Sequence, residues 1–367
     1  MIKITPKFRR NVLEIIPFGI IWLIIGWVTL WTEYAVISTM DPQDVTEAAI
    51  VINPRIVLFA SISVFFTGCM VGFLEVTLIN RYFIKSSFPK KIISKFLIYG
   101  VLMFIMIFIL YMLAASIEMN QSVFSEAVFD RYVGFLFSIT NVSTNVQLLF
   151  SLIVSLLYAE ISDNLGQSVL LNFFTGKYHS PVVEHRVFMF TDMKDSTTIA
   201  EQLGHVKYFD YLRSYYDDLS DAIVNHRGEV YQYIGDEIVI SWNSKRKNAV
   251  QNSIQCFFAM KEALAKKKDW YLENYGIFPD FKGALHLGEV TTGEIGALKK
   301  EIFFTGDVLN TTARMQGLCK EYQVDILVSE KLLNALGTDN PIPSKTLGEV
   351  TLKGRSEKIQ LHTILHH

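Results

Sequence analysis

Four long apolar runs without a single charge limit the architecture of this chain more than any other feature: Ile15 to Thr32, Ile56 to Leu74, Phe96 to Ile117 and Tyr132 to Ala159. A helix needs about 20 mostly apolar residues to cross a bilayer, so each run is long enough or nearly so. They predict an all-α four-helix transmembrane domain over residues 1–160. Hydrophobic residues make up 50% of the 367, and the excess over a soluble chain is concentrated here. Buried helices of a soluble core are the competing explanation; four such runs in series argue against it.

Charge sets the expected orientation. Lys3, Lys7, Arg9 and Arg10 precede the first run, and Arg81, Lys85, Lys90, Lys91 and Lys95 surround the second connection. The other two connections carry Asp41, Asp44 and Glu47, then Glu118, Glu126 and Asp130, with Arg55 and Arg131 only at their ends. By the positive-inside rule the N-terminus, the middle loop and everything after the fourth span are cytoplasmic. No small-residue cleavage site follows the first apolar core, so it does not read as a cleaved signal peptide. Both outer connections are short, which leaves little room for a folded extracellular sensor, so a stimulus is expected to act in or near the membrane.

Inside the fourth run, Asn141, Thr144 and Asn145 share one helix face, beside Ser143 and Gln147. Hydrogen bonding between helices and a ligand pocket both fit them. Glu75, at the inner end of the second run, is expected to snorkel to the interface. No Lys lies mid-span for a Schiff base and no His lies in any run, so neither retinal nor haem is implied. Cys69, Cys256 and Cys319 lack metal-ligand spacing and read as reduced packing residues. A net charge of −2 with mixed signs gives no nucleic-acid footprint.

Residues 161–180 read as a helical transducer, with helix continuing to Leu165, Gly166 weakening it and Gly176 to Pro181 breaking it. Val169, Leu170, Leu171, Phe173 and Phe174 make it too apolar for a loose tether. Residues 181–367 alternate strands and helices. Strands are expected at Arg186 to Thr191, flanking Gly235-Asp236, at Phe281 to Leu287, Glu289 to Ile295, Glu301 to Phe304 and Val324 to Val328, with a closing hairpin at Gly354. Helices are expected as a pair from Ser196 to Asn225, from Asn248 to about Lys267 and from about Val308 to Glu321. That order gives an α+β, ferredoxin-like βαββαβ sheet with helices on one face. Polymerase palms share the layout, so fold alone assigns no reaction.

The chemistry is carried by two strand-end carboxylates, Asp192 and Asp236. Brought together, they would hold hard divalent cations, and two metals about 4 Å apart clamp both oxygens of a phosphoryl displacement. Glu237 follows directly, and only one of that adjacent pair can face the site. Singly, a strand-end Asp is more often a turn or cap residue. No P-loop is present.

Five segments in register carry a resemblance: Phe190-Thr-Asp192-Met-Lys-Asp-Ser-Thr197, Ile234-Gly-Asp236, Gly288-Glu-Val-Thr-Thr-Gly293, Gly306-Asp-Val-Leu-Asn310-Thr-Thr-Ala-Arg314 and Leu352-Lys353-Gly354. From about Pro181 onward the chain resembles the class III nucleotide cyclases. The resemblance implies cyclisation of a nucleoside triphosphate, ATP being the commonest substrate of the family. It implies two magnesium or manganese ions per site on Asp192 and Asp236, with the Met193 carbonyl as a further ligand. Arg314 would neutralise the α-phosphoryl charge, Asn310 would position the ribose and Lys353 would bind the terminal phosphates. The two Asp come from one subunit of the family's head-to-tail dimer and Asn, Arg and Lys from the other, so a homodimer is implied.

Base selection departs from the family pattern. Lys with Asp or Thr usually selects adenine, and Glu with Cys or a small residue selects guanine; here Gln232 and Phe303 hold those positions. A one-residue slip would bring Phe304 or Thr305 into the second role. Guanine and pyrimidine nucleotides therefore remain alternatives. A diguanylate cyclase is disfavoured by Ile234 and Ile238 around the Gly-Asp-Glu run, and an inactive cyclase-like scaffold by retention of both Asp and Arg314. A transporter is disfavoured by the absence of internal repeats and broken helices.

Overall fold

The computed structural model describes residues 6–37, 53–79, 82–83, 88–166, 169–170, 172, 175–297, 300–336, 342–353 and 357–365. Lys3, Asp41, Asp44, Glu47, Arg81 and Lys85 of the charge pattern, Leu171, Phe173 and Phe174 of the connector, and Gly354 of the closing hairpin lie outside them. The chain divides into two compact units, which are taken separately.

The first unit holds α1 (Pro6–Ile37), α2 (Pro54–Leu74) continued by a π-helical turn at Glu75–Ile79, α3 (Phe88–Met119), α4 (Glu126–Leu136) and α5 (Ile139–Leu165). Four stretches, Phe8–Val36, Pro54–Ile79, Ile93–Met119 and Ile139–Asp163, are long and apolar enough to cross a membrane. Most of their apolar side chains point out of the unit, as a lipid-facing surface requires. α1 and α2 pack closely because Gly68 has no side chain: a Cβ there would stand 2.8 Å from the Phe18 carbonyl oxygen. The Trp22 indole donates to the Ser155 hydroxyl at 2.8 Å, tying α1 to α5.

Three expectations change here. The fourth run is interrupted at Phe137, where α4 ends, and Ser138 caps a new helix by accepting from the Asn141 amide. Asn141 therefore lies in the first turn of α5, where its side chain donates to the Leu136 carbonyl and accepts from Asn145, so this polar pair is satisfied locally. Thr144 likewise donates to the Thr140 carbonyl. Glu75 does not snorkel: it is 2% exposed and bonded to Lys95 and to the Tyr99 hydroxyl of α3, a long-range pairing invisible in local sequence.

The second unit is built on one eight-stranded sheet. Its elements are β1 (Val182–Met193), α6 (Ser196–Leu203), α7 (His205–Asn225), β2 (Glu229–Ile234), β3 (Glu237–Asn243), α8 (Ala249–Ala265), α9 (Lys268–Tyr275), β4 (Phe281–Ile295), β5 (Glu301–Thr305), α10 (Asp307–Leu318), β6 (Ile326–Ser329), α11 (Glu330–Asn334), β7 (Ser344–Thr351) and β8 (Lys358–Ile364). Strand order is β2-β3-β1-β4-β6-β8-β7, with β5 on β4. The first four strands have the ferredoxin-like arrangement, with β1 and β4 paired at the centre.

β1 reads as an unbroken apolar run because both its faces are covered. Val187 and Met189 enter the core shared with Tyr211, Tyr215 and Leu219 of α7 and Ile254 and Phe257 of α8. Phe188 and Phe190 face the other way, onto Val308 of α10 and Phe304 of β5. Helices thus cover both faces, whereas the expected layout placed them on one. Another difference is at Gly288, expected to separate two strands: β4 runs through it without a break. A Cβ there would lie 2.6 Å from the Val308 Cβ, so this glycine admits a helix rather than a turn.

Candidate active site

Asp192 stands at the end of β1, paired in register with Lys282 of β4, whose ammonium is 3.5 Å from its Oδ2. Asp236 occupies a two-residue turn between β2 and β3, where Gly235 takes φ +64°, a backbone that glycine adopts without steric cost. Because β3 pairs with β1, Thr191 opposite Ile238, that turn is delivered to the end of β1. Asp192 lies close enough for its charge to act on the Asp236 carboxyl, and Ser196 at the start of α6 stands beside Asp236. The Tyr216 hydroxyl of α7 donates to the Gly235 carbonyl and holds the turn.

Burial, and after it the negative charge of Asp192, pushes the Asp236 carboxyl above the usual range. The same causes, burial first and then both Asp charges, push Glu237 up to about 7. Asp236 Oδ2 is buried with no hydrogen-bond partner among the described residues. Two neighbouring carboxylates, one with an unpartnered oxygen, repel each other unless a proton or a cation lies between them, so the donor set fits a hard divalent ion. The Met193 side chain is packed in the core, which leaves only its backbone carbonyl to face a ligand. Among the described residues no group of three or more His, Cys, Asp or Glu is placed to hold a metal.

The other expected residues lie elsewhere. Asn310 and Arg314 sit one turn apart on the exposed face of α10, whose opposite face buries Val308, Thr311, Thr312 and Met315. No hydrogen bond or ion pair joins either to Asp192 or Asp236 among the described residues. Lys353 is exposed, directly after the buried Leu352. Gln232 is exposed just beyond a bulge in β2 at Tyr231. Phe303 on β5 is 45% exposed, while Phe304 is buried edge-on against Phe188 and Tyr231. Phe304 is thus turned into the core, while Thr305 is exposed beside Phe303.

Three neighbours of the Asp pair escaped the sequence reading: Ser196, Tyr216 and Lys282. Lys282 had a usable signal, since antiparallel pairing of two strands around Asp192 calls for a partner position. Tyr216 had none, because its bond depends on how α7 crosses the β2–β3 turn.

Comparison with known proteins assigns the family of the second unit. Residues 180–366 match the family model described as the adenylate and guanylate cyclase catalytic domain, and the chain belongs to that family. It is 35% identical over 199 residues to adenylate cyclase 2 of Rhizobium meliloti, covering 54% of this chain and 55% of that one. It is 26% identical over 183 residues to adenylate cyclase 1 of the same organism, covering 48% of this chain and 27% of that one. The chain therefore spans about half or less of the length of these curated relatives. A solved bacterial light-regulated adenylyl cyclase superposes with a TM-score of 0.53 at 18% identity, covering 60% of this chain and 64% of that one, a likeness of fold alone.

Proposed function

We propose that the protein is a membrane-anchored adenylate cyclase that converts ATP to 3′,5′-cyclic AMP and pyrophosphate, acting as a homodimer. The observation that carries this reading is the placing of Asp192 and Asp236 side by side, with a buried, unpartnered carboxyl oxygen, where the β2–β3 turn meets the end of β1. The four-helix unit, residues 1–160, would lie in the bilayer with its N-terminus cytoplasmic. Residues 161–180 would transmit its movement to the catalytic domain, 181–367. A change in the relation of two catalytic domains would alter activity because each site straddles their interface.

Asp192 and Asp236, with the Met193 carbonyl, would hold two magnesium or manganese ions, the triphosphate supplying further oxygens. Bound there, such ions lower the pKa of the 3′-hydroxyl and balance the triphosphate charge. The ribose 3′ oxygen attacks the α-phosphorus in line, its proton passes to water, and the bond to the pyrophosphate oxygen breaks with its electron pair leaving on pyrophosphate. Arg314 of the partner chain neutralises charge building on the α-phosphoryl oxygens, Asn310 holds the ribose, and Lys353 binds the terminal phosphates. Their exposure on α10 and beside β7 supports this division of labour, since each chain presents them outward.

Purified full-length protein with manganese and ATP, GTP, CTP or UTP in separate reactions tests the reading. Cyclic AMP from ATP, absent with Asp192→Ala, is expected; no cyclic product from any nucleotide overturns it. Gln232 can donate and accept, and Phe303 can only stack, so the pair makes a permissive base site. Replacing them with Glu and Cys should move preference toward GTP by about tenfold or more in kcat/KM ratio, because a carboxylate acceptor pairs with the N–H donors of guanine and finds no matching pair on adenine. Tyr216→Phe removes the bond holding the Gly235 turn. It should raise the manganese concentration for half-maximal rate about tenfold with little change at saturation, as loss of an outer partner does at metal sites.

A further inference from the structure

The four-helix unit carries a half-open cavity of about 620 Å³. Its lining comes from one end of the unit: α1 from Trp22 to Val36, the first half of α2, the second half of α3 and the first turns of α5. Such a volume suits a small-molecule ligand. The wall is mostly apolar, and Ser61 and Thr67 donate to carbonyls of their own helix. The one charged side chain among the described lining residues is Glu33 of α1, whose carboxylate accepts from the Ser143 hydroxyl of α5, with Thr144 and Gln147 beside it. A carboxylate has about four acceptor positions, and Ser143 occupies one. An acidic group in the wall of an apolar, membrane-embedded cavity is costly unless it meets a donor, and such residues mark ligand or ion paths.

We propose that this cavity binds a lipophilic amine, with its ammonium group on Glu33 and its hydrocarbon body lying along α1 toward Trp22. Charge complementarity selects the head: an ammonium offers three donors and the opposite charge, whereas an alcohol offers one donor and none. From Glu33 to Trp22 the helix rises about 16 Å, room for a medium-length alkyl chain. The Trp27 indole is held by the Ser61 hydroxyl at 2.9 Å, so two fixed indoles, Trp22 and Trp27, border the body of the ligand.

The probe is ω-bromododecylamine, whose bromine quenches indole fluorescence on contact, titrated into the full chain in nanodiscs. Binding is read directly, so the result does not depend on cyclase activity. Saturable quenching is expected, about tenfold weaker for ω-bromododecanol and for Glu33→Gln, as loss of a charged hydrogen bond implies. Ala60→Phe, which fills the cavity and leaves Glu33 in place, should abolish the saturable part. Quenching that rises without saturation, or that is unchanged in Ala60→Phe, reports partition into lipid and overturns the proposal. Equal quenching by the amine and the alcohol overturns the assignment of Glu33 as the head site.

Discussion

Co-expression of Asp192→Ala with Arg314→Ala should restore cyclase activity that neither variant has alone. Each single homodimer loses one half of both its sites: the first has no metal-holding pair, the second no positive charge at the α-phosphoryl. Each should fall by about a thousandfold or more, the scale of losing a group that acts on the transition state. In a mixed dimer both lesions fall in one site and the other site is intact. Random pairing makes half the dimers mixed, each with one site of two, so about a quarter of wild-type activity should return. The expectation follows from α10, whose inner face is filled by Val308 and Met315 while Asn310 and Arg314 point outward. If the co-expressed pair stays as inactive as the single variants while dimers form, the two halves of the site belong to one chain and the shared-site reading fails.

What could be read from sequence was whatever depends on short-range pattern. A buried strand ending at Asp192 and a Gly-Asp turn at Gly235-Asp236 are local features, and both formed as expected. Four apolar helices were legible because length and composition alone decide them. Gly288 was misread because a glycine that ends a strand and a glycine that admits a helix look alike until the helix is in place. Glu75 was misread for a related reason: its partners Lys95 and Tyr99 stand on another helix. Nothing local distinguishes a carboxylate that reaches water from one that finds a buried ammonium. The break before Ile139 was written in Ser138, a cap whose side chain competes for backbone donors, but an unbroken apolar run concealed it.

Arg186→Met should destabilise the catalytic unit by about 3–5 kcal/mol, the cost of removing one partner from a buried ionic cluster. Arg186 is 2% exposed at the centre of such a cluster. Its guanidinium donates to Glu184 at 3.0 Å, to the Ser241 hydroxyl at 2.9 Å and to Glu229, and lies 4.9 Å over the Phe304 ring. Methionine fills much of the volume but leaves the buried Glu184 with one cation, Lys177, and the neutral donors Tyr178, Asn243 and Thr292 among the described residues. Burial alone would raise the Glu184 carboxyl, yet bonds from Arg186 and Lys177 hold it below the usual carboxylate range. Its contribution to stability is therefore present above the unfolded-state pKa and lost as pH falls through the lower folded value. Without Arg186 burial prevails and the sign reverses, so acidification relieves the variant while it weakens the wild type, and the gap between them narrows. Neutralising both acids as well, in Glu184→Gln/Arg186→Met/Glu229→Gln, should recover most of the loss, because no buried charge is then left unpaired. Hydrogen exchange of the β1 and β3 amides in the full chain reads all three effects. A deficit in Arg186→Met that is independent of pH and equal in the triple variant would assign the loss to packing against Phe304 and not to the carboxylates.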